Sequence, residues 1–248
     1  MSKSVCVYAV VPSDMSERKL AGAEGIDGAP LELVHEGGIA AVVSVAPTER
    51  LRPTRAALTA HEKVTAWAHR VSAALPVRFG TLFPDYESVA RDLLSANQGH
   101  IQALLRDLAG RDEYRLRARY LSDVALSEVV SRSRQVQRLR DRLNGHPAGQ
   151  ATRIQLGELV VAGLEALREE DAAAVMRHIA PFMVAGQRLP DRAEDTAVHL
   201  ALLVERHRAD DLEKAVEELG AKQRGRLLLE LIGPLAPWDF TTIETRAA

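Results

Sequence analysis

The stretch EYRLRARYL, residues 113–121, alternates apolar side chains with arginines and determines how the second half of the chain is interpreted. One side of an extended chain would be apolar and the other basic, with Leu116, Ala118 and Tyr120 opposite Arg115, Arg117 and Arg119. A repeat of two residues is that of a β-strand with one buried face. The sequence therefore predicts that a second structural unit begins with this strand, near residue 111.

Beyond this strand, helical and extended patterns follow one another. Apolar residues recur every three or four positions in the helical segments, and short apolar runs bounded by turn residues mark the strands. The pattern is helical at 122–143, 155–180 and 209–219, and extended at 181–190, 196–206 and 225–233. The order β-α-β-β-α-β predicts a C-terminal ferredoxin-like α+β domain over residues 111–248, with a tail that contains proline and tryptophan. Its first and last strands would be neighbours, which places Arg117 or Arg119 to face Glu230.

The first 110 residues predict a separate N-terminal α+β domain with a small mixed sheet and long helices. Residues 4–11 and the two halves of LELVHEGGIAAVVSVA (31–46) are strand-like, and Gly37-Gly38 between the halves is a hairpin signal. Helical periodicity follows at 53–75 and 86–108, after which Gly110 ends the second helix. We therefore expect two domains, 1–110 and 111–248.

The composition is that of a folded globular protein and argues against several classes of function. The 248 residues are 46% hydrophobic, and a formal net charge of −2 argues against general nucleic-acid binding. The single cysteine, Cys6, excludes an internal disulfide. The longest apolar runs fall far short of the ~20 residues that a membrane helix needs, and no secretory signal is visible. We expect a soluble, cytoplasmic protein that binds neither nucleic acid nor a membrane.

The patterns that mark catalytic, cofactor and metal sites are missing from the sequence. Gly22, Gly25 and Gly28 have neither the dinucleotide nor the Walker A spacing. His61-Glu62 lacks the second histidine that a zinc-protease helix places four residues after the first. No serine stands in the glycine context of a nucleophile elbow. The sequence therefore predicts no catalytic residue, no cofactor and no metal, which indicates a protein that is not an enzyme.

The stretch LPVRFGTLF, residues 75–83, places Arg78 among apolar residues that we expect to be buried. Pro76 disfavours a helical residue before it and so ends the preceding helix, and Gly80 permits a kink. A buried arginine is costly unless it is paired, so Arg78 either clamps a buried carboxylate or a helix C-terminus, or serves as an anion-binding catalytic group. We favour the first role, with Glu62 on the preceding helix as the partner.

His61-Glu62 on a helix, followed by LPVRFGTLF, resembles the signature of the gas vesicle protein GvpF/GvpL family. The opening VYAVVP (7–12), the strands LELVHEGGIAAVVS (31–44) and the ending LLLELIGPLAPWDF (227–240) also resemble that family. The ending departs from the family pattern, because Leu235 replaces its first aromatic residue, Ala236 a proline and Trp238 a tyrosine. The family-motif residues are His61, Glu62, Pro76, Arg78, Phe79, Gly80, Gly233, Pro234, Trp238 and Phe240.

The resemblance implies a non-enzymatic accessory or structural protein of gas vesicle organization, the assembly of gas-filled protein shells in the cytoplasm. Such an assembly factor would bind the small hydrophobic shell subunit, form a minor component of the shell, or do both, alongside other gas vesicle accessory proteins. The family-motif residues would then serve structure or protein binding. The residues themselves leave a second interpretation open, a small-molecule anion-binding enzyme or sensor domain that uses His61, Glu62 and Arg78.

Overall fold

Two β-sheets, each with its own helices, form an α+β fold in the computed structural model of the chain. The structure describes residues 4–20, 22–46, 51–121, 123–145, 149–191, 193 and 195–241. They divide into two compact units, one that runs to Glu113 and resumes at Pro234, and one that spans Tyr114–Gly233. The tail after Gly233, which we expected to be part of the C-terminal domain, belongs to the first unit.

The first unit contains a five-stranded sheet of β1 (Val5–Pro12), β2 (Glu32–Glu36), β3 (Ile39–Val45), β4 (Leu75–Pro76) and β5 (Leu82–Phe83). The strand order is β2-β3-β1-β4, and β5 also pairs with β1. Every pairing is antiparallel, so the sheet is not the mixed sheet that we expected. The reason is that the chain from β4 to β5 runs back along β1, pairing Leu75 with Val10 and Phe83 with Val5.

The hairpin between β2 and β3 is where the sequence predicts it. Gly37 and Gly38 form the connection with φ values of +55° and +84°. A two-residue hairpin turn of this kind needs positive φ at both positions, which glycine adopts at little cost. The two glycines therefore fix the register in which Glu36 pairs with Ile39.

The helices of the first unit differ from the expected ones at their ends. Helix α1 (Arg55–Val71) begins after Thr54, whose side chain accepts a hydrogen bond from the Ala57 N–H at 3.2 Å. It ends about one turn before residue 75, because Ser72 is already extended and leads into β4. The second helical segment comprises α2 (Tyr86–Ser88), a π-helix (Val89–Ser95) and α3 (Ala96–Leu108). Short 3₁₀ turns lie at Glu17–Leu20, Ile26–Gly28 and Trp238–Phe240.

The β-α-β-β-α-β order predicted after residue 110 is present, with three helices in the first crossover. The elements are β6 (Arg111–Tyr120), α4 (Val124–Arg132), α5 (Arg134–Gly145), α6 (Gln150–Ile179), β7 (Ala185–Arg188), β8 (Thr196–Glu205), α7 (Ala209–Lys222) and β9 (Leu227–Leu235). The sheet order is β7-β8-β6-β9, so the first and last strands are neighbours as expected. The helix predicted at 122–143 divides at Ser133, where the backbone is extended. Two 3₁₀ turns lie at Ala180–Phe182 and Arg206–Arg208.

The arginines of β6 pair with partners other than the expected Glu230. Arg117 lies 2.9 Å from a carboxylate oxygen of Asp191, and Arg119 lies 3.7 Å from one of Asp195. Both aspartates belong to the connection from β7 to β8, so the arginines are drawn toward β8 and away from β9. Within the described residues, neither arginine forms the expected ion pair with Glu230.

Each unit has a hydrophobic core of its own. In the first, β1 is almost entirely buried, and the inner side of α1 contributes Val64 and Ala68. In the second, Leu116 of β6 and Leu200 of β8 pack with Ile179 of α6. Within the part of the chain that the structure describes, no helix is both long enough and apolar enough to cross a membrane.

Candidate functional site

Three of the family-motif residues meet in a cluster of rings around His61 in the first unit. His61 lies on the inner side of α1 and is only 3% exposed. The centroid of its ring lies 5.2 Å from that of Tyr8 on β1, 5.6 Å from that of Phe79 and 6.2 Å from that of Trp238. The helix, the 75–83 stretch and the tail, which are far apart in the sequence, are therefore joined at one buried histidine.

The protonation of His61 is governed by its burial. Burial lowers its pKa to about 4, and a hydrogen bond with the backbone of Val7 opposes this effect only in part. Its Nε2 atom has no hydrogen-bond partner within the described part of the chain. His61 is therefore a neutral ring at pH 7, packed among aromatic side chains and poorly placed to exchange protons with a substrate.

Tyr8 forms the polar base of this ring cluster. Its hydroxyl lies 2.7 Å from Ser44 Oγ and accepts a hydrogen bond from the Ile26 N–H at 2.9 Å. Burial raises the pKa of Tyr8 to about 12, so the hydroxyl keeps its proton. A Cβ at Gly25 would lie 2.5 Å from this hydroxyl, so the loop after β1 has to carry a glycine there.

Arg78 lies on the surface, contrary to the expectation that it is buried and paired with Glu62. Both residues are exposed, and within the described residues the Arg78 guanidinium has no ion-pair partner. The Arg78 carbonyl accepts hydrogen bonds from the N–H and the hydroxyl of Thr81, at 3.2 and 2.8 Å, which closes a tight turn. Gly80 in this turn has a φ of +85°. The turn lifts Arg78 out of the edge of the sheet while Phe79 points inward to His61.

The clamp role that we expected of Arg78 is filled by Arg226 in the second unit. Arg226 donates to Asp171 at 2.8 Å and to Glu128 at 2.9 Å, and Asp171 also accepts from the Tyr120 hydroxyl at 2.5 Å. Asp171 is buried and Arg226 is half-buried. The sequence offers one signal for this role, since Arg226 directly precedes the apolar run of β9.

The residues of the family-like ending have structural positions. Trp238 packs against His61, and the backbone N–H beside it, that of Asp239, donates to the fully buried carboxylate of Glu113 at 2.8 Å. In the second unit, Gly233 lies so close to the ring of Tyr114 that a Cβ would overlap it. Of the remaining motif residues, Pro76 is buried in β4, Phe240 is half-buried and Pro234 is exposed.

The arrangement does not form the anion site that the second interpretation requires. His61 is buried, whereas Glu62 and Arg78 are exposed, so the three side chains do not line one cavity. Among the described residues, no group of three or more histidine, cysteine, aspartate or glutamate side chains is placed to hold a metal ion. Of the motif residues, His61, Phe79 and Trp238 instead belong to the ring cluster of the first unit.

Comparison with known proteins gives a single result. The family model described as gas vesicle synthesis protein GvpL/GvpF matches residues 4–242. Gas vesicle protein F of Streptomyces sp. (strain CB03234) is 31% identical over 214 residues, which cover 85% of this chain and 87% of that protein. Gas vesicle protein F of Dolichospermum flosaquae is 22% identical over 247 residues, which cover 99% of this chain and 100% of that protein.

Solved structures show the same fold. The crystal structure of the gas vesicle protein GvpF from Anabaena sp. PCC7120 superposes with a TM-score of 0.88 at 23% identity, covering 98% of this chain and 100% of that chain. The crystal structure of GvpF from Microcystis aeruginosa superposes with a TM-score of 0.80 at 20% identity, covering 96% and 98%. At these identities the structural similarity establishes the fold, whereas the match to the family model and to the Streptomyces protein establishes the family.

Proposed function

Because the chain belongs to the gas vesicle synthesis protein GvpL/GvpF family, we propose that it is a non-enzymatic accessory protein in gas vesicle assembly that binds the shell subunit. Such a protein works in the cytoplasm, either leaving the finished shell or remaining in it as a minor component. Its other partners would be further gas vesicle accessory proteins.

The observation that supports this proposal is the position of the family-motif residues. Phe79 and Trp238 both pack against His61, which is only 3% exposed. A motif that serves packing is typical of a protein whose activity is to present a surface, whereas catalysis needs polar groups converging on a substrate. The buried and neutral His61 fits the first case.

Gene deletion tests the assembly role. We expect a strain without this gene, and without a related copy that replaces it, to form few or no vesicles while the shell subunit is still made. Electron microscopy would count the vesicles, and immunoblotting would measure the subunit. Normal vesicle numbers in such a strain would contradict the proposal.

Co-expression with an affinity-tagged shell subunit tests the binding. We expect this chain to be retained with the subunit on the affinity column and to be absent from a column loaded with an unrelated tagged protein. Immunoblotting of purified vesicles then decides whether it remains in the shell. If the tagged subunit retains none of the chain, the binding part of the proposal is wrong.

A further inference from the structure

A large groove runs along the outer side of α1 in the first unit. It has a volume of about 1090 Å³ and lies between α1 and the loop of residues 22–25. On α1 its lining includes Arg55, Thr59, Lys63, Trp67 and Arg70. These positions are spaced by four, four, four and three residues, so they form one stripe along the helix. We call this feature the α1 groove.

The cations of the α1 groove have no partners that the fold supplies. Arg55, Lys63 and Arg70 are exposed, and within the described residues none of them forms an ion pair. Glu24 is the one carboxylate among the described residues that line the groove. Three cations on one side of a groove repel one another, and this repulsion is relieved when an anionic partner binds.

Arg55 is placed where helix stability does not favour it. It is the first residue of α1, whose first turn contains no acidic residue. The N-terminal end of a helix carries a partial positive charge, so a basic residue there opposes the helix dipole. Arg55 therefore gains nothing from the helix dipole, and its charge is available to a negatively charged partner.

The middle of the α1 groove is apolar. Ala60, Val64 and Trp67 line it between the cations, and Trp67 is only half-buried. A partly exposed tryptophan with arginines nearby is the composition that dominates binding energy at protein interfaces. A partner therefore needs an apolar side as well as negative charge.

The spacing of the cations fits a helix that lies along α1. Arg55, Lys63 and Arg70 follow at intervals of eight and seven residues, which correspond to about 12 and 10 Å along the helix axis. A second helix packed alongside presents side chains at the same heptad-like interval. Single-stranded nucleic acid fits less well, because it favours several aromatic side chains in series and this groove has one.

From these observations we propose that the α1 groove binds an acidic amphipathic helix of a partner protein. The carboxylates of that helix pair with Arg55, Lys63 and Arg70, and its apolar side packs on Trp67 and Ala60. The inference rests on the proposed function in one respect, namely that the partner is a gas vesicle protein. The binding mode is that of a helix laid into a groove.

A synthetic peptide tests the groove directly. The probe is a fluorescein-labelled helix of about 21 residues with glutamates at heptad spacing and leucines beside them, titrated with the full chain at ~50 mM salt. We expect Lys63→Glu to weaken binding at least tenfold. The matched control is Arg106→Glu on α3, an exposed arginine outside the groove with the same change in net charge, which should bind as the wild type does. A scrambled peptide of the same composition should bind at least tenfold more weakly.

Three outcomes would overturn the inference. They are equal weakening by Lys63→Glu and Arg106→Glu, equal binding of the scrambled peptide, and no binding of the designed peptide to the wild-type chain. Thermal melts of both variants establish that they are folded. Trp67→Phe provides a second readout, because the change in tryptophan fluorescence on binding should disappear in this variant while Trp238 is still present.

Complementation of the deletion strain separates the two proposals. Lys63→Glu should restore fewer vesicles than Arg106→Glu. If the deletion itself leaves vesicles normal, the proposed function fails while the peptide titration still decides the groove. If the designed peptide does not bind although deletion abolishes vesicles, the α1 groove is not the binding site and the assembly role stands.

Discussion

The indole of Trp238 lies 6.2 Å from the imidazole of His61 between ring centroids, with the two planes inclined by 36°. The next residue, Asp239, donates its backbone N–H to the buried Glu113 carboxylate at 2.8 Å. These two contacts attach the tail to α1 and to the start of β6. They make the tail an integral part of the first unit.

Removing the indole should weaken the first unit. We expect Trp238→Ala to lower the free energy of unfolding by about 2 kcal/mol, less than for a fully buried aromatic residue because Trp238 is half-buried. Trp238→Phe keeps a ring against His61 and should recover most of the loss. Urea unfolding followed by circular dichroism measures both variants. An alanine variant that unfolds at the wild-type midpoint would show that the tail contributes nothing.

Two glycines in the second unit should respond to alanine in opposite directions. A Cβ at Gly233 would overlap the buried ring of Tyr114, so Gly233→Ala should destabilise by roughly 1–3 kcal/mol. Gly220 lies within α7 with open space where a Cβ would be, so Gly220→Ala should stabilise by roughly 0.5–1 kcal/mol. Thermal melts compare the two, and a shift of the same sign in both would contradict the described packing.

The free energy of unfolding should decrease as the pH falls, because His61 is buried in its neutral form. Its pKa is about 4 in the folded chain, against the ordinary value of 6.5, so the unfolded chain binds the proton more tightly. This contribution is complete above pH 6.5 and is lost as the pH falls from 6.5 toward 4. The difference between the two pKa values corresponds to about 3 kcal/mol.

Replacing His61 with phenylalanine, an aromatic ring that does not titrate, tests this pH dependence. His61→Phe should flatten the dependence of unfolding free energy on pH between 6.5 and 4, whereas His35→Gln, at an exposed position on β2, should leave it unchanged. Urea titrations at several pH values measure this dependence. An unchanged slope in His61→Phe would assign the acid sensitivity to other groups.

Replacement by lysine should affect stability differently at Arg226 and at Arg78. Arg226→Lys loses the two-pronged contact with Asp171 and Glu128 and should destabilise by about 2 kcal/mol. Arg78→Lys should change stability by less than about 0.5 kcal/mol, because the side chain is exposed. Chemical unfolding measures the free energy of unfolding of the two lysine variants. A larger loss in Arg78→Lys would restore the structural role first expected of that residue.

The local parts of the fold could be predicted from the sequence because local chemistry determines them. The alternation at 113–121 gave β6, and Gly37-Gly38 gave the hairpin of β2 and β3. The division of the predicted 122–143 helix at Ser133 had no such signal, since neither glycine nor proline occurs there. The antiparallel course of the first sheet depends on long-range pairing, which no local pattern encodes.

The sequence does not predict the ring cluster around His61. Family likeness identified His61, Phe79 and Trp238, but nothing in their spacing shows that they touch across most of the chain. Arg78 was misjudged because its apolar neighbours predict burial, whereas the turn closed by Thr81 and Gly80 lifts it to the surface. No sequence pattern predicts that the Tyr8 hydroxyl accepts a hydrogen bond from the Ile26 N–H and lies close to Gly25, because this contact joins a strand to a loop.

The course of the chain out of the first unit and back into it has a consequence for synthesis. A ribosome produces His61 and Phe79 long before Trp238, and all of the second unit emerges in between. The nascent first unit therefore lacks the Trp238 indole against His61 until the later segment arrives. A chain whose synthesis stops before Trp238 leaves the apolar side chains around His61 more exposed. Exposed apolar surface of this kind is a target for chaperones and proteases.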